Sequence, residues 1–201
     1  MAKYTDDRQF TDYVHRHLAT PLIYKNLNWT ENNVDADALK SLDLNDGIDY
    51  VFQNQKGEDV RIQERFRDNF YQKYSDCTLR FRREHNADAT RRASEFFKIK
   101  ADYLIYGITN GSKWLDKRAT LTDFLKFVVV DLRVLFQKMD NQQIVLQTGS
   151  ASNFSRIEGG KMTIPINQNP DFSSSFVAFD VRQLQQLFGN DGIIFSQKGF
   201  F

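Results

Sequence analysis

Apolar residues recur at helical spacing near the start of the chain and alternate with polar ones through its middle, so the change of period marks out the elements. From Asp7 to Leu18, the residues Phe10, Tyr13, Val14, His17 and Leu18 share one helical face, and Pro21 predicts an end just before it. His17 is expected to pack on that face. Neither His15 nor His17 has a helical ligand spacing, so neither is assigned a catalytic role. After a polar stretch from Asn28, Leu39, Leu42 and Leu44 form a short apolar pattern. Ile48, Tyr50 and Phe52 then alternate with Asp49 and Val51, Asn54-Gln55-Lys56-Gly57 supplies a turn, and Val60, Ile62 and Phe66 return. This predicts a β-hairpin.

Leu79 to Arg83 reads as a third strand, with Leu79 and Phe81 opposed to Arg80 and Arg82. Ala87 to Phe97 fits a helix or a long connection, and Ala101 to Ile108 is the strongest buried strand. After a basic loop from Lys113 to Arg118 come FVVVDLRVLFQKM and, 49 residues later, FVAFDVRQLQQLF. Each is a β-rich run, an aspartate and a helical pattern, so Asp131 and Asp180 are expected to cap helix N-termini. MTIPI, containing Pro165, reads as an edge strand. The sum is about five to seven strands and three or four helices: an α/β or α+β fold with one central mixed β-sheet flanked by helices, in a single domain over residues 1–201.

Eighteen phenylalanines make buried aromatic area the main expected source of stability. A lone cysteine, Cys77, excludes an internal disulfide, and three histidines offer no zinc-finger spacing. No apolar run reaches the ~20 residues of a membrane span, and the first residues lack the apolar centre of a secretory signal. A cytoplasmic protein without membrane contact is expected. The net charge of +1 conceals an asymmetry: eight acids against two lysines from Glu31 to Val60, then eleven Lys/Arg against six acids from Arg61 to Lys100. Such blocks either neutralise one another on the surface or join a metal pocket to a phosphate-binding face.

The hairpin carries the candidate chemistry. Alternation puts Val60, Ile62, Glu64 and Phe66 on one side of its second strand, and Arg61, Gln63, Arg65 and Arg67 on the other. Asp49, Gln63 and Arg65 would set a carboxylate beside an amide oxygen and a guanidinium. An alternative is cross-strand ion pairing of Arg-Glu-Arg with Glu58 or Asp59. Lys98-x-Lys100-x-Asp102 alternates toward the buried strand, as a strand does when it enters a sheet from a wet rim.

GIDYVF…VRIQERFR resembles the core of the PD-(D/E)XK nuclease superfamily, in which an Asp on one strand precedes an acid-x-Lys element on the next. Asp49 matches the metal-binding Asp, and Gln63-Glu64-Arg65 matches the acid-x-Lys element with Gln for the acid and Arg for Lys. The resemblance spans residues 45–108, up to KADYLIYG. It implies a restriction-endonuclease-like fold and Mg²⁺- or Mn²⁺-dependent hydrolysis of DNA, with Asp49, Gln63 and Arg65 catalytic and Asp49, Gln63 and Glu64 around the metal. Gln63 brings no charge, so another acid would have to help: Glu64, Glu58, Asp59, Asp7 or Asp12. Arg65 clamps phosphate but is no general base near neutral pH. Arg61, Arg67, Arg80, Arg82, Arg83, Lys98 and Lys100, with Arg91 and Arg92, would line a phosphate track. DNA is thus the expected partner, and a homodimer stays open. The rival expectations are a nucleic-acid-binding module with a degenerate site and a protein-interaction component.

Overall fold

The computed structural model describes residues 2–83, 92, 94–148 and 153–201. Among them are two mixed multistranded sheets flanked by helices, an α+β arrangement. Strands β1 (Thr30–Glu31), β2 (Tyr50–Gln53), β3 (Asp59–Arg67), β5 (Tyr103–Thr109), β6 (Phe124–Asp131) and β11 (Ile194–Lys198) form the first sheet, in the order β1-β2-β3-β5-β6-β11. The second follows the order β4-β10-β9-β7 through β4 (Asp76–Arg82), β10 (Ser175–Asp180), β9 (Lys161–Gln168) and β7 (Ile144–Gln147), with β8 (Arg156–Glu158) also on β9. The single central sheet expected from the sequence is therefore two, because β4 leaves the hairpin and pairs with β10.

The expected strongest strand, β5, runs through the middle of the first sheet, parallel to β3 and antiparallel to β6. Leu104, Tyr106 and Ile108 pack into the core between the sheets, with Leu79, Val177, Phe179 and Ile164 opposite. Ile105 points the other way, into a second core with Phe52, Ile62 and Phe66. Burial on both faces explains why this strand reads as a continuous apolar run. Gly107 lies where a Cβ would come within 2.5 Å of the Phe124 ring, so only glycine fits.

The second core is roofed by the N-terminal helix, which differs from expectation. It runs as α1 (Ala2–Val14), a π-helical stretch His15–Tyr24 that includes Pro21, and α2 (Lys25–Leu27). Pro21 does not end it, because the wider π turns accommodate a missing N–H. The buried residues Val14, Ala19 and Tyr24 are five apart, as are Leu18 and Ile23. That period rotates the face: His15 is buried and His17 is exposed, its ring tilted against Tyr13.

Other local expectations meet clear geometry. Asp131 accepts the N–H groups of Arg133 and Val134 at the start of α5 (Leu132–Asp140), and Asp180 accepts that of Gln183 in α6 (Val181–Phe188). Pro165 is in an interior strand, not an edge. On one side β9 pairs with β8 up to Thr163 and with β10 from Ile166, so the proline falls between two partners where no ladder N–H is needed. Of the stretch 87–97, α4 (Glu95–Lys98) is helical, and residues 87–91 and 93 lie outside the described residues.

Candidate metal and phosphate site at a strand fork

Helix α3 (Ala36–Asp46), capped at its start by Asp35, ends at Gly47, whose left-handed φ of +59° turns the chain sharply into β2. β2 pairs with β3 only as far as Tyr50 opposite Ile62, and the two strands part beyond it. Asp49 stands in the fork. Its Oδ2 accepts the backbone N–H of Glu64 at 2.8 Å and the Gln63 amide Nε2 at 2.6 Å. Its Oδ1 is 3.4 Å from the Arg8 guanidinium, which also reaches Asp43 at 3.4 Å and Asp12 at 2.9 Å. Burial, then the Asp43 charge, push the Asp49 carboxyl up to about 8, against the opposing Glu64 N–H and Arg8.

Gln63 and Glu64 leave the strand on opposite sides, as alternation requires. Glu64, its side chain fully buried, accepts the Tyr24 hydroxyl at Oε1, and His15 Nδ1 is 2.8 Å from the same oxygen. His15 stacks on Tyr50 with ring centres 3.7 Å apart, and its Nε2 lies 3.4 Å from Glu31 on β1. Burial pulls the imidazole down, but Glu64 and then Glu31 more than offset this and hold its pKa above the ordinary value. Burial and Glu64 raise the Tyr24 and Tyr50 hydroxyls, so both stay protonated donors. A hollow lined by Glu31, Asn32, Leu39 and Tyr50 opens beside this network.

Two buried side-chain oxygens on opposite sides of β3 have no hydrogen-bond partner: Gln63 Oε1, beside Asp49, and Glu64 Oε2, in the His15–Tyr24 network. Buried acceptors are almost always satisfied, so each fits a missing cation or ordered water. Mg²⁺ takes one or two carboxylates and keeps waters for its other positions. Asp49 and the Gln63 carbonyl, which lie together, would supply two ligands of that set. Among the described residues, no three His, Cys, Asp or Glu side chains gather so as to hold a metal ion.

The hairpin thus brings Asp49 to the Gln63 amide and to the Glu64 backbone N–H, while the Glu64 carboxylate turns to His15 and Tyr24 and the basic residues divide. Arg65 is half-buried on the Gln63 side of β3, where its charge reaches Tyr106 on β5. Arg61 grips Asp102 through Nε and NH2 at 3.1 and 2.8 Å, across the parallel β3–β5 pair. Lys98 donates to the Leu44 and Asp43 carbonyls at the end of α3, and Lys100 pairs with Asp46 at 2.8 Å. These two lysines hold a helix C-terminus, a favourable place for cations. Arg80, Arg82 and Arg83 belong to the β4 segment of the second sheet, with Arg82 over the Phe81 and Phe97 rings. Arg67 lies over the Tyr71 ring. Arg91 lies outside the described residues.

Of the supporting acids considered, Asp12 reaches the site through Arg8, whereas Asp7 pairs with Lys113, and Glu58 and Asp59 bond Asn54 and Asn32 at the hairpin turn. Sequence reasoning missed Arg8, His15, Tyr24, Glu31 and Asp43. The Arg8–Asp12 spacing of four was a visible helical pair, but nothing local joined it to Asp49. No family model, curated protein or solved structure matches the chain.

Proposed function

We propose that the chain is a metal-dependent phosphodiesterase acting on DNA, with its centre at the Asp49 fork. The observation that carries this reading is the unpaired buried Gln63 Oε1 on the amide that bonds the buried Asp49 carboxyl. The arrangement resembles the PD-(D/E)XK core, and Gln63-Glu64-Arg65 accounts for its acid-x-Lys element. When bound, Mg²⁺ would neutralise charge on the scissile phosphate and lower the pKa of its water. Asp49 and the Gln63 carbonyl would hold it, with Glu64 the further acid available on the other side of β3. His15 and Tyr24 fix Glu64 through Oε1 and leave Oε2 unpaired. Arg65, always charged, would bind phosphate and take no proton.

The test is cleavage of plasmid and linear DNA by the purified protein with Mg²⁺ or Mn²⁺, with Asp49→Ala as the control. Nicking that disappears in the variant is the expected result. Absence of cleavage of any DNA with either metal overturns the enzyme reading.

One observation favours a second reading. The Arg8 guanidinium already lies among Asp12, Asp43 and Asp49, a built-in cation that suits a nucleic-acid-binding module with a degenerate centre. Such a module gains no thermal stability from Mg²⁺, whereas a metal site does.

A further inference from the structure

Directly after β3 the chain makes a short turn whose large side chains point into solvent. Phe70 is 71 % exposed, Tyr71 37 % and Tyr74 39 %. Their rings form a row, with centres 5.6 Å apart from Phe70 to Tyr71 and 6.2 Å from Tyr71 to Tyr74. Cations sit over the same rings. Arg67 is 5.2 Å from the centre of Tyr71, and Lys73 is 5.9 Å from Phe70 and 5.2 Å from Tyr74.

The turn is tied down and holds the row in place. Asn69 N–H donates to the Gly111 carbonyl, Phe70 N–H to Asp68, Tyr74 N–H to the Tyr71 carbonyl, and Lys126 Nζ to the Tyr74 carbonyl at 2.9 Å. A contiguous exposed aromatic patch on a rigid support is costly unless it binds something. The turn has no aliphatic side chains, as an apolar protein partner would favour. It offers ring faces interleaved with cations, and Asp68 and Asp76 are the acids beside them.

We infer that Phe70, Tyr71 and Tyr74, with Arg67 and Lys73, form a stacking platform for the bases of a single-stranded nucleic acid. Every base has a π-face to stack on an exposed ring, and its phosphates answer the interleaved cations. The platform also lies in line with the fork. From Gln63 to Arg67, β3 pairs in register with β5, and this stretch joins the Asp49 fork to the turn that carries the platform. Arg67 is three residues past Glu64, about 10 Å along the strand. The inference rests on the nucleic-acid part of the function proposed above, not on the metal.

The experiment measures affinity for a labelled single-stranded DNA oligonucleotide, its RNA counterpart and the DNA duplex by fluorescence anisotropy, in EDTA at low salt. Phe70→Ala/Tyr71→Ala/Tyr74→Ala is expected to weaken single-strand binding by about fivefold or more per stacked base, leaving the duplex little changed. Tryptophan at the same three positions keeps the affinity, and measurement in EDTA keeps the platform separate from the metal centre. A wild-type protein that does not bind single strands, or a triple alanine variant that binds them as wild type, overturns the inference. Equal loss for single strand and duplex overturns it too.

Discussion

Burial of the Asp49 carboxyl makes the stability of the fold depend on pH, and with it the cation binding proposed for the fork. The carboxyl's ordinary value of 3.8 rises to about 8 in the fold because it is buried beside Asp43 and Glu64. Between those values the folded protein holds a proton that the unfolded chain has released, so stability falls as pH rises from about 4 to about 8, and is flat above. At ~1.4 kcal/mol per pH unit, the full window, in which the opposing Arg8 charge is already included, amounts to at most roughly 5–6 kcal/mol. Asp49→Asn keeps an acceptor for the Glu64 N–H and removes the titration. Urea unfolding of both proteins at pH 5, 7 and 9 should show the wild type losing ground to the variant at each step. At pH 9, Mg²⁺ should restore wild-type stability and leave Asp49→Asn unchanged, with a smaller gain at pH 6, where the cation must first displace the proton. A difference between the two proteins that does not vary with pH, or that shifts in favour of the wild type, would refute the reasoning. The acceptor geometry of Asp49 would then belong to a permanently ionised carboxylate clamped by Arg8.

Two further outcomes follow from the same contacts. Replacing His15 by Ala leaves Glu64 buried with Tyr24 alone, so the melting free energy should drop by about 3–5 kcal/mol, and adding Glu64→Gln should recover part of it; no recovery in the double variant would show that His15 acts through packing on Tyr50. Arg61→Ala should cost about 1 kcal/mol, reduced by solvent screening of a half-exposed guanidinium, and should leave duplex DNA affinity nearly unchanged because Asp102 already holds that side chain; a large loss of affinity in a salt titration would contradict this.

The features legible in the chain alone are local. The hairpin from Tyr50 to Arg67, the aspartate caps at Asp131 and Asp180, and the doubly buried β5 all follow from neighbours within a few residues. Adjacency of Asp49 to Gln63 and Glu64 follows too, because a four-residue turn sets the register of the strands it joins. The tertiary structure decided the rest. Period alone turned His17 inward, but the π-helical stretch widens the turn and buries His15 instead, beside a glutamate 49 residues away. Strand alternation could group Arg61 with Arg65, yet only the parallel pairing of β3 with β5 commits Arg61 to Asp102. β4 looked like a third strand of the hairpin sheet and became an edge of another, and that moved Arg80, Arg82 and Arg83 away from the fork. Pairing between distant strands and packing of a helix across them depend on burying whole faces at once, and that energy has no signature in any short stretch of sequence.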